Sequence, residues 1–361
     1  MAKTREYDGG ARGEIAGRAE ELADKILRRQ AERQPELELR YGRAGMDVCR
    51  QDIGYHLAYL AEAVALESLP LLEEYMAWVK SLLFSLGLPE EDMLVNLECM
   101  EEVLSRELHG EVSERACLYL KTVRERYPGF PVRDDRDFLE DSPLRDLARA
   151  YLDALLGGNR HEAGRLVLEA VEGGIPVKDI YLHVFQPAQW ELGRRWQTNR
   201  VSVAQEHYST AATQLIMSQL YPLVFCGERT GETLMAACVA GELHELGLRM
   251  VSDLFEMEGW DTYYLGANTP RRGMIQALSE RRPRVLALSA TMTYHVGEVA
   301  DFITAVRDTD AGGDVRIIVG GYPFNVDREL WRKVGSDGWA PDAEGALRVA
   351  SELCGPWPGP A

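Results

Sequence analysis

The sequence predicts two all-helical parts followed by a Rossmann-like, doubly wound parallel sheet, an α/β plus all-α fold class. Apolar residues recur every three or four positions in the first two thirds of the chain, which is typical of helices. Beyond Gly231, short apolar runs alternate with amphipathic helices, which indicates a parallel sheet. Because a chain of 361 residues is longer than a single hydrophobic core usually supports, several domains are expected.

Four segments follow from this pattern. Residues 1–44 are polar and are expected to form a helical arm, because their apolar residues are too sparse for a large buried face. Residues 45–130 are expected to form an all-helical domain of globin-like character. A proline- and charge-rich linker, YPGFPVRDDRDFLEDSP, separates this domain from a four-helix bundle at residues 141–228. In that bundle, Ser202 and Gln205 fit a capping box at the start of a long helix.

Residues 231–354 are expected to form the Rossmann-like domain. Its strands are predicted at LMAACVA, DTYYLG, VLALSAT and VRIIVGG. In open α/β sheets, ligands bind outside the carboxyl ends of the strands, so the residues just after each strand are the candidates for chemistry.

Composition excludes several classes of function. The net charge of −18 disfavours direct nucleic-acid binding, and no apolar run is long enough to span a membrane. The first residues lack the apolar core of a secretory signal, and the six cysteines form no CxxC pair. These features favour a cytoplasmic protein whose cysteines are packing residues.

Histidine, glycine and hydroxyl residues follow the predicted strands. His244 comes after the first strand with Glu242 two residues earlier, which suits a metal-binding imidazole whose other nitrogen needs an acceptor. Gly247 removes a side chain where the next helix begins. The later strand ends carry a second group of candidates: Ser289, Thr291, Gly320, Gly321 and Tyr322.

This set resembles the B12-binding domain of corrinoid methyltransferase modules, isomerases and B12 photoreceptors, and the likeness covers residues of about 233–354. The resemblance implies that His244 is the lower axial cobalt ligand. It also implies that Ser289, Thr291, Gly320 and Gly321 line the channel for the cofactor's nucleotide tail. The family's usual aspartate is replaced here by Glu242, which is one methylene longer. An ordinary flavodoxin-like domain with His244 as a loop residue is the alternative.

Trp196, followed after nine residues by Glu206 and His207, resembles the helical cap of B12 photoreceptors. In that family the three residues cover the upper axial face of adenosylcobalamin, so the resemblance implies this form of the cofactor. An indole can shield the adenosyl group, and the other two side chains can bond its ribose and base. Light-sensing repressors carry a histidine directly after the tryptophan, whereas this chain has Gln197.

The arrangement of a helical domain ahead of this cap resembles the photocobilins, which combine B12 with biliverdin. Biliverdin is therefore expected as a second chromophore in the helical domain. Side chains near Cys49 could hold it: Arg50, Asp52, Tyr55, His56 and Tyr59. The alternative is that these residues pack a helix interface.

The resulting hypothesis is a light sensor, in which adenosylcobalamin photolysis changes domain packing and the state of a homodimer and so signals to an unknown downstream protein. No nucleophile elbow, Walker loop or HExxH motif occurs, so an enzyme is not expected. One alternative is a corrinoid protein that shuttles methyl groups for a methyltransferase. Another is a cobalamin carrier or redox sensor.

Overall fold

A computed structural model describes residues 7–132, 137–225 and 228–355. Cys226 and part of the proposed linker lie outside the described residues. The chain divides into two compact units. Unit 1 comprises Met1–Val132, Ala290–Ile303 and Tyr322–Gly335, and unit 2 comprises Arg133–Ser289, Thr304–Gly321 and Ser336–Ala361. The four domains expected from the sequence stay a prediction.

Unit 1 is built mainly from the N-terminal helices. These are α1 (Gly9–Ala16), α2 (Ala19–Arg33), α3 (Leu37–Ala65), α4 (Leu69–Ser85), α5 (Glu90–Glu107) and α6 (Gly110–Arg126). The expected arm is part of this assembly, because Ile15, Leu22 and Ile26 are buried in the same apolar cluster as residues of α3–α6. The chain bends inside α3 at Gly42, whose φ of 67° is a left-handed conformation that glycine adopts without strain.

Unit 2 begins with a helical bundle. Its helices are α7 (Arg145–Leu156), α8 (Arg160–Glu172), α9 (Val177–Ile180), α10 (Gln186–Gln197) and α11 (Val203–Val224). A π-helical turn, Tyr181–Phe185, joins α9 to α10, so the bundle has four helical rods. The predicted capping box at Ser202 and Gln205 is present and starts α11.

A parallel sheet completes unit 2. Its strands are β1 (Thr233–Cys238), β2 (Asp261–Gly266), β3 (Val285–Ser289), β4 (Arg316–Gly320) and β5 (Gly338–Trp339), in the order β2-β1-β3-β4-β5. The helices of this part of the chain are α12 (Leu246–Met257), α13 (Arg271–Arg281), α14 (Val296–Arg307), α15 (Tyr322–Val326), α16 (Leu330–Lys333) and α17 (Ala343–Cys354). The predicted fold class is confirmed. The sequence did not predict β5, because two residues show no periodicity.

Candidate functional site

The sheet brings the ends of three strands together. Cys238 at the end of β1 pairs with Ser289 of β3, and Ser289 pairs with Gly320 of β4. Strand order reverses between β1 and β3, which is where open α/β sheets bind ligands. The residues after β1 and β3 therefore lie at the expected ligand edge.

Glu242 and His244 form a pair just after β1. Glu242 Oε1 lies 2.6 Å from His244 Nδ1 and accepts the backbone N–H of His244 at 2.9 Å. Glu242 is fully buried, whereas the His244 side chain is 58% exposed. The extra methylene of glutamate thus preserves a short contact. Because the pair occupies Nδ1, Nε2 is the ring nitrogen left to a metal.

The loop after β1, which carries this pair, is held by hydrogen bonds to the loop after β2. Gly241 donates its backbone N–H to the Asn268 side chain at 2.8 Å, and the backbone N–H of Asn268 donates to the Glu242 carbonyl at 2.8 Å. Gly241 has a φ of 84°, which favours glycine at this turn. The loops after β1 and β2 therefore hold each other, and this orients His244.

Glu245 is a site residue to which the sequence alone assigned no role. One carboxylate oxygen accepts from the Gln214 amide of α11 at 2.9 Å. The other accepts from the Tyr264 hydroxyl at 3.0 Å and from the backbone N–H of Ala267 at 2.9 Å. Glu245, the residue directly after His244, therefore links this loop to the bundle, to β2 and to the loop after β2.

The pKa of His244 is raised above its ordinary value. The main cause is the hydrogen bond to Glu242, and burial opposes it. The charges of Glu242 and of Glu206 in the bundle raise the pKa further. Glu206 therefore acts electrostatically on the candidate metal ligand.

The three expected cap residues flank the turn between α10 and α11. Trp196 is half-buried in the last turn of α10, and Glu206 and His207 lie in the first turns of α11. Glu206 lies 2.6 Å from His207 Nδ1 and accepts from the Thr210 hydroxyl at 2.9 Å. Glu206 and His207 thus partner each other, and the His207 side chain is 77% exposed.

The glycines of the candidate site differ in their surroundings. Gly247 is exposed near the start of α12, and a Cβ there would meet no atom within 4 Å. Gly321 has a φ of 106°, which strains any residue with a side chain. A Cβ on Gly320 would lie 3.4 Å from the Ala340 carbonyl oxygen. The space around Gly247, three residues after His244 in the chain, is therefore open, whereas backbone conformation requires glycine at 321.

Thr291 and Tyr322 belong to unit 1, whereas the other candidate residues belong to unit 2. Tyr322 is half-exposed and donates its hydroxyl to Glu74 of α4.

The proposed bilin residues have other partners in unit 1. Arg50 pairs with Asp24 on the protein surface. His56 is buried, and its Nδ1 lies 2.8 Å from the Tyr75 hydroxyl. Tyr59 stacks on Tyr75 with ring centroids 3.5 Å apart. These contacts match the alternative in which the residues pack a helix interface.

The donor set fits a corrinoid better than a bare metal ion. Within residues 7–132, 137–225 and 228–355, no three histidine, cysteine or acidic side chains gather so that they could hold a metal. A corrin ring supplies its own equatorial nitrogens, so one oriented imidazole beside open space is sufficient. In the same ranges, no helix combines the length and apolar character needed to cross a bilayer.

Comparison with known proteins relates this chain to proteins that bind B12. Models of B12 binding domains match residues 232–348 and residues 147–221. A corrinoid protein of Desulfitobacterium hafniense is 21% identical over 59% of this chain and 98% of its own. The dimethylamine corrinoid protein of Methanosarcina barkeri is 24% identical over 58% of this chain and 97% of its own. The chain therefore contains B12-binding domains and is similar to corrinoid proteins.

A solved structure has the same fold. The monomethylamine corrinoid protein of Methanosarcina barkeri aligns with a TM-score of 0.52 at 22% identity, covering 58% of this chain and 99% of that one. This likeness agrees with a Rossmann-like domain preceded by a helical cap.

The expected light-sensing function is wrong. The relatives are corrinoid proteins, two of them named for methylamines, and they favour the alternative of a methyl shuttle. The comparisons give no support for a photoreceptor, for biliverdin or for the adenosyl form of the cofactor. A homodimer, a cytoplasmic location and the absence of direct nucleic-acid binding stay predictions.

Proposed function

We propose that this protein carries a methyl group on a corrinoid and serves a methyltransferase formed by another chain. The observation that carries the proposal is the pair of buried Glu242 and exposed His244 at the end of β1. The relatives named for methylamines support a methyl group as the cargo and a methylamine as its source. The protein itself would then be a carrier and not an enzyme.

His244 would hold the cobalt through Nε2. Glu242 accepts a hydrogen bond from the Nδ1–H of His244 and so fixes the tautomer and the plane of the ring. Gly247 leaves room beside the imidazole for a wide, flat macrocycle. When bound, the corrinoid would supply a cobalt centre that accepts a methyl group and gives it up.

Ser289, Gly320 and Gly321, which all belong to unit 2, would accompany the nucleotide tail at the ends of β3 and β4. The strand register that sets Ser289 beside Cys238 and Gly320 supports this assignment. The assignment of Thr291 and Tyr322 stays a prediction from the sequence. Trp196, Glu206 and His207 would face the upper side of the ring.

Methyl exchange tests the proposal. The protein is loaded with hydroxocobalamin, reduced with titanium(III) citrate and treated with isotopically labelled methyl iodide. We expect label to remain with the protein on gel filtration and then to pass to an excess of free, reduced cobinamide. Free cobalamin and the His244→Ala variant are the controls. A corrinoid that stays bound but takes up no label would contradict the carrier function.

A further inference from the structure

Glu245 is held by three hydrogen bonds whose donors come from three different parts of unit 2. Its carboxylate accepts from the Gln214 amide of α11, from the Tyr264 hydroxyl of β2 and from the backbone N–H of Ala267 in the loop after β2. These three donors are electrically neutral, so directional hydrogen bonds set the position of the carboxylate. Such bonds are roughly twice as strong when the acceptor is ionised. Glu245 is therefore firmly held.

The end of β2 is shaped around this carboxylate. The pairing of β1 with β2 shifts between Ala236 and Ala237, so that Leu265 is an extra residue in β2. A bulge of this kind changes the direction of the side chains beside it. Gly266 follows with a φ of 78°, and a Cβ on it would lie 2.9 Å from a carboxylate oxygen of Glu245. The carboxylate can occupy its observed position because residue 266 has no side chain.

Glu245 directly follows His244, and the backbone of both residues is fixed. The N–H of His244 donates to the Glu242 carboxylate at 2.9 Å, and the carbonyl of His244 accepts from the Cys238 thiol at 3.8 Å. The Glu245 carbonyl accepts the N–H of Arg249 at 2.9 Å and so begins α12. Since one planar peptide bond joins the two residues, a displacement of Glu245 also displaces the backbone of His244.

Helix α11 of the bundle contacts this region at two successive turns. The side chain of Gln214 bonds Glu245 at 2.9 Å, and the Gln214 carbonyl accepts from Arg249 at 3.2 Å. Ser218, four residues later, accepts from Arg249 at 2.9 Å. A displacement of α11 relative to the sheet would therefore act directly on Glu245.

We infer that Glu245 is a positioning residue that couples helix α11 of the bundle to His244, and so sets how firmly the imidazole is held for cobalt. This inference rests on the proposed function, because it takes His244 to be the cobalt ligand. The His244 ring is 58% exposed, so its placement depends on its own backbone and on Glu242. Freeing Glu245 from α11 should therefore make the imidazole easier to displace from cobalt.

Three substitutions separate the parts of this coupling. Gln214→Leu removes the bond from the bundle, and Glu245→Leu removes all three bonds. Glu245→Gln is the conservative variant, because an amide oxygen can still accept from Tyr264 and Ala267 while the Gln214 amide turns to accept from the new NH₂ group. Gln219→Leu is the matched control, since it makes the same change at an exposed glutamine of the same helix.

Competition with free imidazole measures how firmly His244 is held. Each full-length protein is loaded with hydroxocobalamin, reduced to Co(II) with ascorbate and mixed with nitrogen-15 imidazole, which electron paramagnetic resonance distinguishes from the protein's own nitrogen-14 ligand. We expect the imidazole concentration that replaces half of this ligand to fall about fivefold in Gln214→Leu, as for the loss of one hydrogen bond. It should fall further in Glu245→Leu. Glu245→Gln and Gln219→Leu should stay within about twofold of the unaltered protein.

Hydrogen exchange tests the coupling in the corrinoid-free protein. Peptides that cover residues 243–249 should exchange about fivefold faster in Gln214→Leu, because opening of this loop no longer breaks the bond to α11. The same peptides should exchange at the unaltered rate in Gln219→Leu.

The outcomes separate this inference from the proposed function. If exchange becomes faster while the imidazole concentration is unchanged, Glu245 has only a structural role and the inference is wrong. It is also wrong if neither quantity changes, and in both cases corrinoid binding stands. If the unaltered protein binds no corrinoid, or binds it without a histidine ligand, the proposed role of His244 fails and this inference fails with it. Gln214→Leu, which alters a half-buried side chain, keeps the test decisive if Glu245→Leu lowers the yield of folded protein.

Discussion

Glu242 and His244 show how a neighbouring carboxylate can orient an imidazole. The carboxylate is fully buried and accepts two hydrogen bonds from His244, one from its backbone and one from its ring. A buried carboxylate held in this way costs free energy unless its bonds are satisfied. The arrangement therefore favours a single ring orientation and a single tautomer.

Replacing Glu242 with glutamine should weaken corrinoid binding. An amide is a poorer acceptor than a carboxylate and makes the imidazole less basic, so we expect the Kd for hydroxocobalamin to rise about 10- to 100-fold. Spectroscopic titration measures this change. Glu258→Gln, at an exposed glutamate just after α12, is the matched control. An unchanged Kd in Glu242→Gln would remove the pair from the binding site.

His56 should make unit 1 sensitive to acid. Burial lowers the pKa of His56 from 6.5 to about 4. Between these pH values His56 is neutral in the folded protein but protonated in the unfolded chain. The stabilising effect is complete above pH 6.5 and is lost as the pH falls towards 4. We expect the contribution of His56 to the free energy of unfolding to fall by about 3 kcal/mol across this range. The buried carboxyl of Glu62, whose pKa burial raises to about 8, acts in the opposite direction.

Urea unfolding at several pH values, followed by hydrogen exchange in peptides of α3, measures that loss. His56→Gln should remove this contribution, because glutamine does not titrate, so the variant should lose less stability than the unaltered protein as the pH falls from 6.5 to 4. His109→Gln, at an exposed histidine of the same unit, should leave it unchanged. Equal pH dependence in all three proteins would show that His56 is not responsible.

The residue scale also shows what the sequence could predict. Glu242 and His244 are two positions apart, so their pairing is local and visible in the sequence. The partners of Glu245 lie 31, 19 and 22 residues away along the chain. Only the packing of α11 and β2 brings these partners together, and for this reason no local pattern in the sequence indicates the role of Glu245.

Helix α12 connects the candidate metal ligand to the bundle. Glu245, Arg249 and Asp253 are spaced four residues apart, which sets them on one face. Arg249 donates to Ser218 of α11 at 2.9 Å, and Tyr181 of the π-helical turn donates to Asp253 at 2.9 Å. Burial raises the pKa of Asp253 to about 6. A polar face of α12 therefore meets the bundle within unit 2.

Replacing Gly247 of α12 with alanine should stabilise the corrinoid-free protein and weaken corrinoid binding. Alanine is favoured over glycine inside a helix by about 1 kcal/mol, and no atom within 4 Å obstructs a Cβ. Gly247→Ala should therefore raise the melting temperature without corrinoid. It should also raise the Kd for hydroxocobalamin severalfold, because the methyl group would occupy space needed by the ring.

Thermal unfolding and titration measure the two effects. Gly54→Ala is the control, since a Cβ at this position of α3 also meets nothing within 4 Å. It should stabilise the protein and leave corrinoid binding unchanged. If Gly247→Ala binds corrinoid as tightly as the unaltered protein, the ring does not lie over α12.

Most elements were predictable because their patterns are local. The apolar runs predicted β1–β4, and their alternation with amphipathic stretches predicted the helices between them, such as α13 (Arg271–Arg281). Residues 1–44 were interpreted as an arm because few of their side chains are apolar. In the structure, a narrow stripe of apolar side chains on α1 and α2 is enough to pack these helices into the apolar cluster of unit 1. The stripe includes Ile15, Leu22 and Ile26.

At the scale of the whole molecule, the sequence predicted the cofactor class but not the function. The spacing of Trp196, Glu206 and His207 suggested a cap for adenosylcobalamin. In the structure, Glu206 and His207 bond each other at the start of a capped helix. Spacing along the chain does not determine which ligand a residue meets, and so it could not separate a light sensor from a methyl carrier.

The central claim is that His244 holds a corrinoid through its imidazole. Electron paramagnetic resonance of the reduced Co(II) protein tests it most directly, with histidine labelled by nitrogen-15 or left as nitrogen-14. We predict a superhyperfine pattern that changes with the histidine isotope and disappears in His244→Ala. A pattern indifferent to the isotope, or one that persists in His244→Ala, would contradict the account.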